Sequence, residues 1–328
     1  MRARATLPPR LGAMALLVMS TTWPGCLCAR KHDAHEVESS NGMMKLTSGD
    51  PKLRCPQALV DARRGGSDAQ RYVVPSETDR STMRDAVERL VRGGWSARAD
   101  VTAALVGLGW EVIDVAELGD ALLIREDDAH RRGGGAYVIR PASTSRLLIE
   151  APHTFFDEGT LPLGCELFQR AAAHAFFIDT AHRFKSAQPL PSGESPADVA
   201  HAEGSMYQAA TAGFVAARAG ARVVQLHGFA PRESGSRMVL SSGARAPSVL
   251  VDRAAERLRT VVGGGVMRFP ADVADLGATQ NVQGTLVRGA GGEFLHVEIE
   301  AGLRRDLLSN PQLRADVLGA LAVVLEDA

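Results

Sequence analysis

From about residue 80 the chain alternates short apolar runs with longer segments of helical periodicity, and this alternation restricts its fold more than any other feature. The apolar runs are DALLIRE, AYVIR, RLLIE, AFFIDTA, RVVQLHGF and EFLHVEIE. The helical segments include STMRDAVERLVRGG, GCELFQRAAAHA, SMYQAATAGFVAARAG, SVLVDRAAERLRTVV and the final NPQLRADVLGALAVVLEDA. Strands interleaved with helices predict an α/β layer fold with a mixed, mostly parallel central sheet.

The composition is that of a chain with a large core and no bias toward polyanionic partners. Of its 328 residues 45% are hydrophobic, and 37 basic side chains balance 38 acidic ones. Aromatic residues make up only 5%, which argues against a base-stacking surface, so we expect no nucleic-acid partner. The sequence has no GxSxG elbow, Walker loop or GxGxxG after a strand, and this disfavours a phosphate- or nucleotide-handling enzyme.

Residues 1–28 are typical of an export signal. A basic start, MRARATLPPR, precedes LGAMALLVMSTTW, an apolar run too short to span a bilayer comfortably. The run ends in PGCLCAR, where Cys26 follows a small residue and suggests lipid attachment, although Trp23 and Pro24 fit that motif poorly and leave plain cleavage open. We therefore predict an exported protein, either periplasmic or a lipoprotein anchored to the membrane.

Residues 29–75 are rich in charged residues, Ser, Gly and Asp, and they are predicted to form a flexible lead-in to a single α/β domain at residues 76–328. Of the four cysteines, Cys26 and Cys28 lie at the end of the signal. Cys55 and Cys165 therefore remain as a pair that could form a disulfide in an oxidising compartment. These patterns leave the oligomeric state open.

Polar residues cluster just beyond the carboxyl ends of the predicted strands, where α/β sheets bind their ligands. They are His153, Asp157 and Glu158 after RLLIE, His182 and Arg183 after AFFIDTA, His227 at the end of RVVQL, and Asp198 and His201 in the loop ADVAHAEGS. In FLHVEIE, His296, Glu298 and Glu300 alternate with apolar residues and share one face of a strand.

Structural roles are available for several of these residues. Asp157 and Glu158 could charge the N-terminus of a helix, and a lone His227 could be a hydrogen-bonded core histidine. Glu298 is harder to assign to structure alone, because a carboxylate between two apolar neighbours on an inner strand is costly to bury unless it is paired or functional. The coincidence of several such residues at strand ends predicts a functional site.

Two histidines and a carboxylate are the donor set of a hydrolytic Zn²⁺ site whose fourth position holds water. Zinc lowers the pKa of that water and polarises a carbonyl, while a glutamate that does not bind the metal takes the proton and passes it to the leaving amine. An arginine can hold a substrate carboxylate or steady the oxyanion. The residues that could supply these groups are His153, Asp157 or Glu158, His227, Glu298 and Arg183.

Four segments carry a family resemblance. PHTFFDEGT, VVQLHGF, NVQG and FLHVEIEAGLR resemble, in this order, motifs of zinc-dependent amidohydrolases of the poly-gamma-glutamate hydrolase and N-formylglutamate amidohydrolase type, which are relatives of the zinc carboxypeptidases. The resemblance covers about residues 135–310. It implies a three-layer, zinc-carboxypeptidase-like fold, a Zn²⁺ cofactor, and hydrolysis of an amide bond in a small peptide-like, gamma-glutamyl or cell-wall substrate.

The resemblance implies roles for individual residues. His153 and His227 would bind the metal together with Asp157 or Glu158, and Glu298 would be the catalytic glutamate. The strand that carries Glu298 continues to Arg304, and the asparagine segment of the family corresponds to Asn281; we assign both residues to substrate binding. The chain departs from the family pattern in two ways. Thr154 and Phe155 replace glycines of the first motif. Arg183 and His201 are not part of the pattern; we assign a catalytic role to Arg183, and His201 could contact substrate or replace His227 as a ligand.

Two other interpretations remain open. Zinc N-acetylmuramoyl-alanine amidases also use a histidine after a strand, a glutamate about a dozen residues later and a second histidine, and His153 with Glu166 roughly fits that spacing. The glycine-rich GHGG start of that motif is absent here. Alternatively, the chain could be a non-catalytic surface binding protein on the same scaffold, which need not retain zinc.

Overall fold

The computed structural model describes residues 55–64, 72–186 and 195–326. These residues belong to one compact unit, which spans Ser48–Ala328. The predicted signal at residues 1–28, with its Cys26, and most of the predicted lead-in lie outside the described residues. Within the described part of the chain, no helix combines the length and apolarity needed to cross a membrane.

The described residues contain one sheet of nine strands. Their bounds are β1 Trp110–Val115, β2 Ala121–Glu126, β3 Ala136–Ile139, β4 Leu147–Ala151, β5 Ala175–Ile178, β6 Arg222–Phe229, β7 Met238–Ser241, β8 Val266–Arg268 and β9 Glu293–Glu300. The order across the sheet is β1-β2-β3-β5-β4-β6-β9-β7-β8. The four central strands, β5, β4, β6 and β9, are parallel, whereas β1, β2, β3 and β7 each pair in antiparallel fashion with a neighbour.

Helices cover both faces of this sheet. Their bounds are α1 Gln57–Arg64, α2 Glu77–Gly93, α3 Arg98–Val106, α4 Thr160–Arg170, α5 Met206–Ala217, α6 Val249–Val262, α7 Val282–Gly289, α8 Ala301–Ser309 and α9 Pro311–Glu326. Apolar residues of α1, α4, α6, α8 and α9 pack in one core cluster, and those of α2, α3, α5 and α7 pack in another. The predicted fold class, a three-layer α/β fold with a mixed central sheet that is parallel at its centre, is confirmed.

The parallel pairing of β6 with β9 places the candidate residues of the two strands side by side. In this register Gln225 lies opposite His296, and His227 lies opposite Glu298. Side chains alternate between the faces of a strand, so these four residues share one face of the sheet, while Val224, Leu226 and their neighbours fill the core on the other face. The loop that follows β4 reaches the same edge of the sheet, because β4 and β6 are parallel neighbours.

Part of the predicted lead-in is ordered. The helix α1 packs on the sheet through Leu59, which is fully buried, and Cys55 just before it forms a disulfide with Cys165 of α4. Arg63 donates a hydrogen bond of 2.8 Å to the carbonyl oxygen of Thr154, in the loop after β4. The expectation of a flexible lead-in through residue 75 therefore does not hold for this segment, because its apolar face and its disulfide fasten it beside that loop.

Candidate metal centre

Three electron-pair donors meet at the edge of the sheet where β4 and β6 end. Oδ2 of Asp157 lies 3.5 Å from Nδ1 of His153 and 3.4 Å from Nδ1 of His227. All three residues are buried, with exposed fractions of 5% or less. They form one of two groups among the described residues whose donor atoms lie close enough together to share a metal ion.

The turn after β4 decides which acidic residue joins the histidines. The backbone N–H of Asp157 donates to the carbonyl oxygen of His153 at 2.7 Å, which closes one turn and returns the Asp157 side chain to the His153 ring. Glu158, one residue later, faces solvent, and only its carbonyl oxygen is engaged, by Nε of Arg304 at 2.8 Å. Of the two carboxylates that the sequence left open, the structure brings Asp157 to the histidines and leaves Glu158 outside.

The outer nitrogen of His153 is held by a carboxylate. Nε2 of His153 donates to Oδ1 of Asp198 at 2.8 Å, so the lone pair of this imidazole is on Nδ1, which lies between Asp157 and Arg183. The other oxygen of Asp198 accepts hydrogen bonds from Arg183 and from Nδ1 of His201, the latter at 3.2 Å. Such a carboxylate–histidine pair fixes the tautomer and orientation of a metal-binding imidazole. His201 thus lies on Asp198 and outside the group of three donors, in which His227 is the second histidine.

The outer nitrogen of His227 is held by an amide whose orientation can be traced to the backbone. Asn281 is the N-cap of α7, and its Oδ1 accepts from the backbone N–H of Gly284 at 2.8 Å. Its Nδ2 must then face Gln225, whose Oε1 accepts from it at 2.6 Å. The same Oε1 lies 2.7 Å from Nε2 of His227, so Nε2 carries the proton and the lone pair on Nδ1 faces Asp157.

The nitrogen of Gln225 is equally well determined. Nε2 of Gln225 donates to Oε2 of Glu150 at 2.8 Å and to Oε1 of Gln283 at 3.2 Å. Nε2 of Gln283 in turn donates to the carbonyl oxygen of Val199 at 2.9 Å, so its oxygen is the atom that faces Gln225. Because a fully bonded buried network holds one arrangement, the imidazole of His227 has a single preferred tautomer.

Electrostatics leave an anion between the two imidazoles. Burial lowers the pKa of His227 to about 4, so this ring is neutral at pH 7. Burial acts to raise the pKa of Asp157, whereas a proton or positive charge shared with His153 and His227 holds the pKa below its ordinary value. When both Nδ1 atoms carry lone pairs, the buried Oδ2 of Asp157 has no hydrogen-bond donor. The carboxylate oxygen then faces two imidazole nitrogens, and a cation would supply the missing positive charge.

This donor set fits a metal ion. Oδ2 of Asp157 and Nδ1 of His227 repel each other with no proton between them, and Nδ1 of His153 has a 3.3 Å contact with Arg183. A cation among the three atoms would turn the repulsion into coordination. Tetrahedral Zn²⁺ with ligand bonds of about 2.0–2.1 Å places its ligand atoms roughly 3.3–3.4 Å apart, and the measured separations from Asp157 are 3.4 and 3.5 Å. Two imidazole nitrogens and one carboxylate oxygen are also the donor types of hydrolytic zinc sites with an open fourth position.

Glu298 lies beside this group without belonging to it. The second group of possible metal donors contains His227, His296 and Glu298, so the two groups share His227. Oε2 of Glu298 and Nδ1 of His296 are buried without hydrogen-bond partners, and Oε1 of Glu298 is 3.8 Å from Nε2 of His296. Burial, together with the nearby negative charge of Asp157, raises the pKa of Glu298 to about 8. Glu298 is thus a carboxyl group poised to hold or release a proton.

Two arginines flank the group. Nη2 of Arg183 binds Asp198, and its Nη1 donates to Nδ1 of His153 at 3.3 Å, so a metal ion at Nδ1 would take the place of this hydrogen bond. Arg304 lies across Gly228, and it donates to the carbonyl oxygens of Glu158 and Ile299. Its negative neighbours include Asp157 and Glu298, which oppose the lowering of the pKa of Arg304 by burial. Both guanidinium groups therefore offer positive charge next to the candidate centre.

Some predicted residues have structural roles. Both polar ends of the Asn281 side chain are used inside the protein, so it supports Gln225 and is not placed to contact a substrate. Glu300 is the N-cap of α8, and its carboxylate accepts from two backbone N–H groups of that helix. Glu166, the glutamate of the N-acetylmuramoyl-alanine amidase alternative, is paired with Arg170 and Arg314 on α4 and α9.

Three polar residues of the site had no role in the predictions from sequence. Gln225 and Glu150 orient His227 through the amide network, and Asp198 orients His153. A signal existed for Gln225, because a glutamine two residues before His227 in an apolar strand lies on the same strand face. Asp198 belongs to a loop far along the chain from β4, so no local pattern joins it to His153.

No protein-family model and no curated protein matches this sequence. The structure is similar to the N-formylglutamate amidohydrolase from Ralstonia eutropha JMP134, at 14% identity and a TM-score of 0.38, over 60% of this chain and 96% of that one. It is also similar to a metallo-carboxypeptidase from Burkholderia cenocepacia, at 13% identity and a TM-score of 0.39, over 78% of this chain and 70% of that one. A gene product of Agrobacterium tumefaciens matches at 16% identity and a TM-score of 0.40, over 57% of this chain and 91% of that one. These neighbours include the two kinds of protein that the sequence resembles, but TM-scores of 0.38 to 0.40 support no conclusion about the chemistry of the site.

Proposed function

We propose that this protein is a zinc-dependent hydrolase that cleaves an amide bond in a small peptide-like substrate. The observation that carries the proposal is the meeting of three donor atoms, Nδ1 of His153, Nδ1 of His227 and Oδ2 of Asp157, with each imidazole fixed from behind in the tautomer that presents its lone pair. An arrangement of this kind has a cost for folding unless a cation binds.

Bound Zn²⁺ would supply a Lewis acid that polarises the amide carbonyl and makes an attacking water more acidic. Glu298 is the residue that we assign to proton transfer: it would take the proton of the attacking water and return it to the leaving nitrogen. Its carboxyl group is nearly fully buried beside His227, and its Oε2 is free of hydrogen bonds. A raised pKa, near 8, favours delivery of the proton to the leaving group in the second half of the reaction.

Arg183 supports the proposal as a source of positive charge at the place where an oxyanion would develop. Its guanidinium is oriented by Asp198 and by the contact with Nδ1 of His153, so little reorganisation is needed during reaction. Arg304 is held by two backbone carbonyl oxygens and is suited to orient a substrate carboxylate. Export of the protein, a lipid anchor at Cys26, and a gamma-glutamyl or cell-wall origin of the substrate remain predictions from the sequence.

The first test compares two neighbouring carboxylates. Asp157→Asn and Glu158→Gln make the same chemical change one residue apart, and each protein is titrated with Zn²⁺ and analysed for bound metal. We expect the wild type and Glu158→Gln to bind one Zn²⁺ with high affinity, and Asp157→Asn to bind far more weakly. Wild-type protein that neither contains nor takes up a transition metal would refute the proposal, and loss of metal in Glu158→Gln alone would refute the ligand assignment.

The second test separates proton transfer from metal binding. Glu298→Gln keeps the shape of the side chain but cannot accept a proton, so the variant should bind zinc as the wild type does. Its turnover of a substrate accepted by the wild type should fall by about 10²–10⁴-fold, the usual contribution of general acid–base catalysis. Full activity in Glu298→Gln would exclude the mechanism, and loss of zinc would make Glu298 a ligand.

A further inference from the structure

Two exposed aromatic side chains stand next to the candidate metal centre. Phe156 is 50% exposed and Phe184 is 60% exposed, and their ring centroids are 5.4 Å apart. Phe156 lies in the turn after β4, and Phe184 follows β5, so the pair bridges the two loops at the carboxyl ends of these strands. From this position we propose that the two rings form a subsite for an aromatic side chain of the substrate, an inference that rests on the proposed hydrolase function.

The geometry of the pair suits a third ring. The planes of Phe156 and Phe184 are at 88° to each other, so one ring offers its face and the other its edge at the same corner. An aromatic group in that corner can stack on one ring and contact the other edge-to-face, and aromatic pairs prefer both arrangements. A branched aliphatic side chain would bury apolar area there but would gain neither arrangement.

The corner is fixed in place from behind. The guanidinium carbon of Arg183 lies 5.5 Å from the centroid of the Phe156 ring and 5.3 Å from that of the Phe184 ring. The ring of His182 is perpendicular to Phe156, with a centroid separation of 6.1 Å. Cation–π and edge-to-face contacts of this kind orient the rings although both are exposed to solvent. The two exposed phenylalanines therefore form one contiguous aromatic surface rather than two isolated side chains.

The position of the corner ties it to the reacting bond. Phe156 stands between His153 and Asp157 in one turn, and the backbone N–H of Phe156 donates to the carbonyl oxygen of His153 at 3.0 Å. Arg183, which contacts both rings, also lies 3.3 Å from Nδ1 of His153. Arg183 thus links the two rings to the donor atoms, and in the proposed subsite the side chain next to an amide held at those atoms contacts the two phenylalanines. The substrate class that fits is a peptide-like amide with an aromatic residue next to the cleaved bond.

Trp95 provides a matched control. It is an exposed aromatic residue, at 41%, with the guanidinium of Arg98 5.9 Å from its ring centroid. Its neighbour Gly94 lies against Pro141, just beyond the end of β3, and Ile139 of β3 pairs with Ala175, the first residue of β5. Trp95 is therefore near the end of the sheet opposite to the candidate site. A substitution there tests the general effect of removing an exposed aromatic side chain.

The experiment measures binding separately from turnover. Zinc-loaded Glu298→Gln protein, alone and combined with Phe184→Ala, Phe184→Leu or Trp95→Ala, is titrated by calorimetry with N-acetyl-Phe-Ala, N-acetyl-Ala-Phe, N-acetyl-Ala-Leu and N-acetyl-Ala-Ala. One of the two Phe peptides should bind most tightly. Phe184→Ala and Phe184→Leu should weaken its binding by roughly threefold to tenfold, in line with the energy of an aromatic pair. Trp95→Ala should change the affinity for that peptide by less than about twofold, because Trp95 is not part of the pair. The Phe184 substitutions should change the affinity for N-acetyl-Ala-Ala by less than about twofold, because this peptide has no aromatic ring.

The outcomes separate this inference from the proposed function. Equal binding of the Phe, Leu and Ala peptides, absence of binding, or equal losses in Phe184→Ala and Trp95→Ala would overturn the subsite. Unchanged affinity in Phe184→Leu would overturn its aromatic selectivity. The same peptides are incubated with the zinc-loaded wild type: if none is hydrolysed while the Phe preference persists in binding, the hydrolase assignment fails and the aromatic subsite stands.

Discussion

Replacement of Asn281 by Asp should weaken zinc binding, although Asn281 contacts none of the proposed ligand atoms. The substitution keeps the oxygen that accepts from the backbone N–H of Gly284, so α7 retains its N-cap. It removes the N–H group that donates to Oε1 of Gln225 at 2.6 Å. Two acceptors would then face each other at hydrogen-bond distance inside the protein, and the amide of Gln225 can relieve this contact only by turning over.

Reversal of the Gln225 amide changes the tautomer of His227. The NH₂ group of the turned amide would face Nε2 of His227, which is 2.7 Å away from the present oxygen and would have to accept a hydrogen bond. The imidazole proton then moves to Nδ1, the atom that lies 3.4 Å from Oδ2 of Asp157. A protonated Nδ1 cannot bind a metal ion. The turned amide also directs its oxygen toward Glu150 and Gln283, so the reversal has a cost of its own.

The magnitude follows from these contacts. Loss of a partner behind a metal-binding histidine usually lowers metal affinity by about 10- to 100-fold. This range corresponds to about 1.4–2.8 kcal/mol of binding free energy. An unsatisfied buried polar group costs about 1–3 kcal/mol, which agrees with that range. We therefore expect the dissociation constant for Zn²⁺ to rise about 10- to 100-fold in Asn281→Asp.

The assay is competition for Zn²⁺ with a chelator of known affinity, together with long-range ¹H–¹⁵N NMR spectra of the imidazole of His227. Asn310→Asp is the matched control, because Asn310 precedes α9 and its Oδ1 accepts from the backbone N–H groups of Gln312 and Leu313 at 3.1 Å. The control should bind zinc as the wild type does. If Asn281→Asp binds zinc with wild-type affinity and its His227 keeps the proton on Nε2, the reasoning about the amide network is wrong.

Three further predictions concern groups around the site. Burial raises the pKa of Glu150 to about 7 from an ordinary 4.5, so the folded protein keeps a proton that the unfolded chain loses, and stability should fall as pH rises from about 5 through 7. Glu150→Gln, which can bond both Thr211 and Gln225, should remove about 2–3 kcal/mol of that fall between pH 5 and pH 8, as measured by urea unfolding, and an unchanged pH dependence would contradict the assignment. Cys165→Ser opens a disulfide that links residues 110 positions apart, and should lower the free energy of unfolding by roughly 2–5 kcal/mol, as measured against the oxidised and the reduced wild type; equal stability of the variant and the oxidised wild type would refute this. Gly228→Ala places a Cβ atom 1.9 Å from Nη1 of Arg304, so the guanidinium must move, and turnover should fall more than zinc affinity; loss of both in equal measure would indicate general disruption of the site.

Much of the fold follows from local patterns in the chain. The six apolar runs that predict strands all form strands, and each helical segment named with them forms a helix, because the periodicity of apolar residues records which face of an element is buried. The same patterns place His153, His227 and Glu298 at or near the ends of parallel strands. Since parallel strands present their carboxyl ends at one edge of the sheet, the neighbourhood of these three residues could be expected before the structure was known.

The choice among neighbouring candidates required contacts that no local pattern contains. Asp157 joins the histidines and Glu158 does not, because a hydrogen bond across one turn directs consecutive side chains to different sides. His201 and Asn281 carry groups that could bind a metal ion or a substrate. However, His201 is hydrogen-bonded to Asp198, and the side chain of Asn281 caps α7 and is hydrogen-bonded to Gln225. Two of the deciding contacts join residues that are distant in sequence, Asn281 with Gln225 and His153 with Asp198, and packing of the loops and helices on the sheet brings them together. Residue type and strand position therefore indicate where a site can form, whereas the direction of each hydrogen bond, which depends on the whole fold, determines which atoms remain available to bind a metal ion.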